Sequence, residues 1–457
     1  MDSHRAQRIT IVGAGLVGSL LAILLARRGY RVHLLERRPD PRDPKNVVGG
    51  RSINLALSDR GLLALDKAGL ADDIAAVSIP MKGRMVHAVN GAGPFLPYGV
   101  GDQAIRSVSR GGLNNTLIDL AAREKNVTIT FGARVTGVDV RTASATLEGG
   151  ARVDGDVILG GDGAFSAVRL ALQLGTDRFD YSQDYLAHGY KELTIAKNAD
   201  GSHALDKNAL HIWPRSSFML IGLPNQDGTF TCTFFFALDG ATDSFAALTD
   251  PVAARAYFAQ VFPDALARMP TFDEDWVRNP VSSLVTVRCQ PWSHAGKTLV
   301  LGDAAHAIVP FFGQGMNAGF EDCRVLIEIL DETQDDWARA MPLFERARKE
   351  NADAIAVLAI ENFTEMRDKV ADPVFLRKRM LERKLASLMP HLVTPLYTMV
   401  TFSPQLPYAD ALRRGRAQDR LLDALVPMAG IEDDDAALRR LTDEHLGATR
   451  VALSPRN

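Results

Sequence analysis

The sequence predicts an α/β fold: a parallel-sheet core opened by a βαβ unit, an inserted antiparallel sheet, and a helical C-terminal region. Three observations carry this prediction. The first forty residues read strand, glycine turn, helix, strand. Between Leu210 and Leu238 the pattern changes to short β-type runs joined by turns, and from Asp322 onward Leu- and Ala-rich helical periodicity dominates.

The opening unit is legible residue by residue. Arg8 to Val12 is a β-branched apolar run, Gly13-Ala14-Gly15-Leu16-Val17-Gly18 is a turn leading into a helix to about Arg28, Gly29 ends that helix, and Arg31 to Glu36 is the next strand. Ile9 to Ala26 is apolar apart from Thr10 and Ser19, long enough to span a bilayer, but its internal glycines favour strand-turn-helix over one uninterrupted helix. No cleavage-site pattern of a secretory signal follows it. Pro39 to Gly50 reads as an exposed connection, and Ser58 to Leu70 as a helix. In the middle, His211 to Pro214, Phe218 to Leu223 and Thr229 to Phe236 are β-runs, the last two separated by the turn residues Pro224-Asn225-Gln226-Asp227-Gly228. The expected division is a core of residues 1–80, 100–180 and 281–370, a sheet domain of 81–99 and 181–280, and a helical cap of 371–457.

Composition narrows the function classes. With 457 residues and 46% hydrophobic content the chain is long enough for two or three domains with real cores. A formal charge of -3 offers no basic field for a phosphate backbone, so nucleic acid is not an expected partner. Cys232, Cys289 and Cys323 lie far apart without a CxxC pair, so no metal site is expected and they read as buried apolar residues in a reducing, cytoplasmic compartment.

The chemistry begins at Gly13, Gly15 and Gly18. Glycines at this spacing allow a tight turn and close backbone approach to a pyrophosphate, which then faces a helix N-terminus. Glu36 closes the next strand 18 residues after the last glycine, where an acid accepts hydrogen bonds from a ribose diol. This is a Rossmann-like fingerprint, and alone it does not separate FAD from NAD. Two further turns follow strands: Gly160-Gly161-Asp162-Gly163-Ala164, with Ser166 and Arg169 beyond it, and Gly302-Asp303-Ala304-Ala305-His306. Asp162 has two open readings, a cofactor contact or a turn that only caps a helix. Pro310-Phe311-Phe312-Gly313-Gln314-Gly315-Met316-Asn317 precedes a helix expected near Ala318, and its backbone N–H groups suit an anionic ring edge. His306 reads as structural, since one histidine without an evident partner is no acid–base system.

The three glycine turns together resemble the single-component flavoprotein aromatic hydroxylases, whose fold is p-hydroxybenzoate-hydroxylase-like. The resemblance implies bound FAD, with Asp303 on the ribityl chain and Asp162 near the cofactor. It extends the FAD contacts to Leu16, Val17, Arg37, Arg38, Leu55, Ala56, Arg110, Val135, Gly315, Met316 and Asn317. No second GxGxxG is present, so NADPH is expected as a transient co-substrate beside O2. A finer resemblance, to the kynurenine 3-monooxygenase family, rests on Arg51 to Ser58, Gly83 to His87, His188 to Leu193, Val309 to Asn317 and Tyr397 to Ser403. It implies L-kynurenine as substrate. Arg84 and Tyr98 would hold its carboxylate with help from Asn362 and Tyr397, while Leu210, Ile221, Phe235, Pro310, Phe312, Glu365 and Met366 would line the ring pocket and rim. Eukaryotic members carry a C-terminal membrane anchor, whereas this chain ends in Asp433-Asp434-Asp435, paired arginines and Ser454-Pro455, with no 18-residue apolar run. A soluble bacterial-type form is expected, compatible with a homodimer, its last residues capping the substrate. Two other readings compete: a related hydroxylase of salicylate or a hydroxybenzoate, and a non-catalytic FAD-fold carrier.

Overall fold

The computed structural model describes residues 7–46, 54–89, 91–99, 102–366 and 372–450. Parts of the connection expected to Gly50, Arg51 to Ile53 of the motif Arg51 to Ser58, and the tail with Ser454-Pro455 therefore lie outside the described residues.

A six-stranded sheet forms the core, in the order Ser293–His294, Thr298–Val300, Val157–Gly160, Arg8–Val12, Arg31–Glu36 and Val127–Phe131. All but the first are parallel to their neighbours. Register decides what this sheet can do. Val12 aligns with both Leu35 and Gly160, and Gly160 aligns with Val300. The turns that follow these strands, containing Gly13, Gly161 and Gly302, therefore emerge together at the carboxyl edge, where open α/β sheets take ligands. The helix Leu16–Arg27 that follows the first turn is buried from Gly18 through Ala26, which accounts for its lack of a polar face. No described helix is long and apolar enough to cross a membrane.

The second sheet has seven strands, in the order Ser282–Gln290, Asp180–Ile195, Phe230–Ala237, Phe218–Pro224, Ala209–Arg215, Gly83–Ala88 and Gly91–Pro97. Its pairings are antiparallel apart from Ala209–Arg215 with Gly83–Ala88, which run parallel. Its edge strand Ser282–Gln290 lies beyond residue 281, where the sequence places the return to the core. Strand alternation sorts the aromatic residues. Phe234 and Phe236 pack with Phe258, Phe262 and Trp276 under the helices Pro251–Val261 and Phe272–Arg278, whereas Phe235 points the other way, with its ring centroid 4.9 Å from that of Phe311.

The helix expected near Ala318 begins at Gly315 and runs to Glu332. The long helix Trp337–Thr364 follows it, and the helices Pro373–Leu388, Leu396–Thr401, Tyr408–Leu425 and Asp435–Arg450 complete the described residues. Most of that region packs on itself around Leu381, Leu385, Leu421, Leu425 and Leu438. The segment around Leu396–Thr401 is different. Tyr397, Met399 and Val400 pack against the face of the second sheet that carries Phe235.

Candidate active site

The carboxyl edge of the core sheet is closed by contacts that leave no room for a Cβ. A methyl group on Gly18 would lie 1.9 Å from Gly13 O, and one on Gly13, whose φ is +100°, would lie 2.6 Å from Gly161 O. Val17 is clasped in turn by Gly302 and Gly319, so the three glycine turns converge on one point. Gly15 is the exception, because a Cβ there would meet nothing within 4 Å. It also starts a helix whose first N–H groups receive no side-chain cap. An open backbone and an uncapped helix N-terminus are what a pyrophosphate requires, so these residues fit a dinucleotide cofactor.

Glu36 is 4% exposed, and its carboxylate accepts from Ala14 N at 2.9 Å, Arg38 N at 2.9 Å and Arg38 Nε at 2.8 Å. Burial opposes its ionisation, yet these hydrogen bonds hold it below the ordinary carboxylate range. Val135 is buried close by, where Ala133 N donates to Glu36 O. Arg37 and Arg110 are exposed, Arg110 at the start of the helix Arg110–Arg123. Leu55 and Ala56 lie on the short strand Asn54–Leu57, half-buried. Asp303 is exposed directly after the buried Gly302.

Two expected cofactor residues have otherwise engaged side chains. Asp162 accepts from Ser166 Oγ at 2.5 Å and from Ala167 N at 2.7 Å, so its side chain caps the helix Ala167–Gly175; of its two open readings, the geometry displays the cap. Asn317 Oδ1 accepts from Ser58 N at 2.9 Å while its Nδ2 donates to Ala56 O and Gly313 O, so its side chain ties the helix start to the strand Asn54–Leu57. Met316 sits beside it in the first turn of a helix that, like the one at Gly15, has no side-chain cap. His306 does have a partner: its Nε2 lies 2.6 Å from Asp322 Oδ2, both are buried, and Trp292 stacks on the imidazole.

The second sheet builds a different kind of site. Arg84 stands on Gly83–Ala88 with its guanidinium 5.3 Å from the ring of Tyr98 and 5.0 Å from that of Tyr397. The two tyrosines stack at 5.1 Å, and Tyr397 stacks in turn on Phe312 at 5.6 Å. Among the described residues no carboxylate lies within 4.0 Å of Arg84, and Tyr98 Oη is buried without a hydrogen-bond partner. Burial raises both phenols above their ordinary value, so they are neutral donors. A half-buried cation and an orphaned hydroxyl lack one thing, an anion.

Leu210 and Ile221 pack both on the Tyr98 cluster and on the neighbouring cluster of Phe235, Phe312 and Met366, which brings these expected wall residues together in one packed region. Pro310 opens the tight turn that sets Phe312. Asn362 does not aim its amide at Arg84: its Nδ2 donates to Phe311 O at 2.7 Å and holds that turn. Glu365 pairs with Arg379 Nη2 at 2.8 Å, at the rim. Local motifs carry no sign of Asn114, whose Nδ2 donates to Ala14 O at 3.2 Å and fixes the first glycine turn from a distant helix.

Glycine turns suited to a dinucleotide, together with an apolar cluster around an arginine that has no carboxylate partner among the described residues, fit a flavoprotein of the hydroxylase type, and a family model described as an FAD binding domain matches residues 6–356. Solved structures share the fold. The chain superposes on 2-methyl-3-hydroxypyridine-5-carboxylic acid oxygenase with a TM-score of 0.64 at 20% identity, covering 81% of this chain and 95% of that one. PqsL, a probable FAD-dependent monooxygenase from Pseudomonas aeruginosa, gives a TM-score of 0.64 at 19% identity over 79% and 97% of the two chains. Sequence relatives are far nearer. Proteins named kynurenine 3-monooxygenase are 48% identical over 431 residues in Myxococcus xanthus (93% of this chain, 92% of the relative) and 46% identical over 435 residues in Christiangramia forsetii (94% and 96%). One from Dictyostelium discoideum is 43% identical over 440 residues, covering 93% of this chain and 94% of the relative. The chain belongs to the kynurenine 3-monooxygenase family.

Proposed function

We propose that this chain hydroxylates L-kynurenine to 3-hydroxy-L-kynurenine, consuming NADPH and O2 with FAD as its bound cofactor. The observation that carries the reading is the Arg84, Tyr98 and Tyr397 cage, a cation and a buried hydroxyl without an anionic partner among the described residues, set in a chain of this family. FAD when bound supplies the redox chemistry, taking electrons from NADPH and activating O2.

The chain's own residues bind, orient and exclude water. Gly13, Gly15, Gly18 and the uncapped helix start would hold the pyrophosphate, Glu36 a ribose diol, and Asp303 the ribityl hydroxyls. The guanidinium of Arg84 would take the substrate carboxylate, with Tyr98 Oη donating to it. Tyr397, stacked on Tyr98 and Phe312, would hold the rings beside which the aniline ring is aligned, while Leu210, Ile221, Phe235 and Met366 would keep the surroundings dry. Kynurenine's amino group already enriches its ring in electrons, so orientation and desolvation matter more than a strong base. Residues 1–80, 100–180 and 291–370 serve as the FAD-binding part, 81–99 and 181–290 as the substrate part, and 371–457 as the cap. Three buried free cysteines suit the cytoplasm.

An oxygen-electrode assay with NADPH and L-kynurenine, followed by product identification, tests this. Substrate-dependent oxygen uptake yielding the 3-hydroxy product is expected. Uptake with salicylate or a hydroxybenzoate but not with kynurenine would move the chain to the related hydroxylases. Stoichiometric flavin with no uptake on any of them would favour a carrier.

A further inference from the structure

A buried polar chain links the wall of the Arg84 pocket to the turn that carries Asp303. It starts at Arg60, 1% exposed on the helix Asp59–Lys67. Arg60 Nε donates to Val400 O at 2.8 Å, and Nη2 donates to Met399 O at 3.4 Å, to Ser403 O at 3.1 Å and to Leu406 O. Met399 and Val400 belong to the last turn of Leu396–Thr401, where carbonyls have no partner within the helix and the backbone dipole is negative. Arg60 thus fastens the C-terminal end of the helix whose other end presents Tyr397. The ring of Tyr408 lies 4.0 Å from the guanidinium and closes its other side.

The chain continues through carboxylates. Arg60 Nη1 donates to Glu321 Oε1 at 3.1 Å, and Glu321 Oε2 accepts from Arg348 Nη1 at 2.7 Å. Arg348 Nε donates to Asp322 Oδ1 at 2.7 Å. Asp322 Oδ2 then accepts from the backbone N–H of Gly302 at 2.9 Å and faces His306 Nε2 at 2.6 Å, so it holds both ends of the turn containing Asp303. Arg60, Glu321, Arg348 and Asp322 are all at most 5% exposed and form two cations against two anions, with Arg324 reaching Glu321 at 3.5 Å from outside. Removing one member leaves a buried charge uncompensated, so the set holds together or fails together. A hydrophobic core could have fixed the same helices without this expense. What the charges add is directionality, since each link fixes one carbonyl or one N–H at one place.

We propose that Arg60 is a positioning residue that couples the Tyr397 wall of the substrate pocket to the Gly302–His306 turn, so that occupancy of the pocket is felt at the turn carrying Asp303. The proposal rests on the reading of the Arg84 cage as the substrate site.

The test uses the full FAD-loaded chain, as wild type, Arg60→Lys and Glu321→Gln. Lysine keeps the charge but cannot reach the five carbonyls of Met399, Val400, Ser403, Pro404 and Leu406 and a carboxylate at once, and glutamine keeps the shape but not the charge that Arg60 and Arg348 share. Hydrogen–deuterium exchange is followed at residues 396–406 and 302–309, with and without L-kynurenine. In wild type, kynurenine should slow exchange in both segments. In either variant the protection at 302–309 should be lost, and KM should rise about tenfold at unchanged FAD content, with kcat falling less. Kynurenine-linked protection at both segments and wild-type KM in both variants would overturn the coupling, as would a fall in activity that only tracks lost flavin. If kynurenine fails to bind wild type, the functional reading falls, but ligand-free exchange still decides the coupling: faster exchange at both segments in Arg60→Lys supports it, and change at 396–406 alone overturns it.

Discussion

The groove at the edge of the core sheet and the pocket on the second sheet are made of opposite materials. The groove is backbone: glycines packed against one another, helix N-termini without side-chain caps, and carboxylates oriented by main-chain N–H groups. The pocket is side chain: Arg84 against two stacked tyrosines, with aliphatic and aromatic walls from several strands and a C-terminal helix. A backbone site fails when an atom is added. A side-chain site fails when atoms are taken away.

That contrast is broken most severely at the first glycine turn. Gly18→Ala places a methyl 1.9 Å from a carbonyl oxygen, so apoprotein stability should fall and FAD affinity should drop at least about a hundredfold. Gly15→Ala sharpens the point, since its methyl meets no protein atom: melting of the apoprotein should be unchanged while FAD titration shows affinity about ten- to a hundredfold weaker. If Gly15→Ala binds flavin normally, that backbone is not where the pyrophosphate sits.

Arg84→Met is the matching subtraction in the pocket. An unpaired substrate carboxylate should cost roughly 2–4 kcal/mol, lowering kcat/KM by about 30- to 1000-fold with FAD content intact. A kynurenine analogue without the carboxylate should be a poor substrate for wild type and lose little more in the variant. Equal damage with both compounds, or loss of flavin, would make Arg84 structural. Smaller again are Glu36→Ala and Asp303→Ala, each removing charged acceptors at roughly 1.5–3 kcal/mol and so giving sub-stoichiometric FAD on purification. Full occupancy in both would refute their assignment.

The last prediction concerns how the effect of Asp322 changes with pH. Burial opposes its charge, but His306 and Arg348 bring it from the ordinary 3.8 to about 2. A folded-state value below the unfolded one contributes stability above about pH 4 that is lost as pH falls toward 2. In denaturant titrations the stability gap between wild type and Asp322→Asn should therefore stay flat from pH 8 to about 5 and narrow below about 4. A gap that changes between pH 8 and 5 would assign the titration to another group.

The same contrast decides what the sequence could reveal. The first βαβ unit was readable because strand, turn, helix and Glu36 are contiguous, and one local pattern specifies them all. The three glycine turns could be recognised singly, but only parallel register brings them to one edge. The β-runs of the second sheet could be marked, whereas the parallel partnership of Ala209–Arg215 with Gly83–Ala88 could not, since nothing local encodes it. Asp162 stayed ambiguous because an Asp-Gly turn before a helix serves a cap as well as a ligand. The partner of His306 lies 16 residues on, in another helix, and Arg60 reaches carbonyls as far as 346 residues away. Main-chain carbonyls leave no trace in a residue pattern, so an arginine that binds them looks like any other helix surface residue.

The parallel strand pair also sets an order of assembly. His87 and His211, facing each other at 2.8 Å on those two strands, are 124 residues apart in the chain, and two strands of the core sheet, Val127–Phe131 and Val157–Gly160, lie between them. Closing a loop of that length unaided costs entropy that grows by about 0.6 kcal/mol for each doubling, so the pair gains if the intervening sheet has already drawn its ends together. Tyr397 arrives later still. During synthesis the groove for the nucleotide can therefore be complete while the substrate pocket lacks a wall, and a nascent chain arrested before residue 396 should retain flavin yet have no stacked partner for Tyr98.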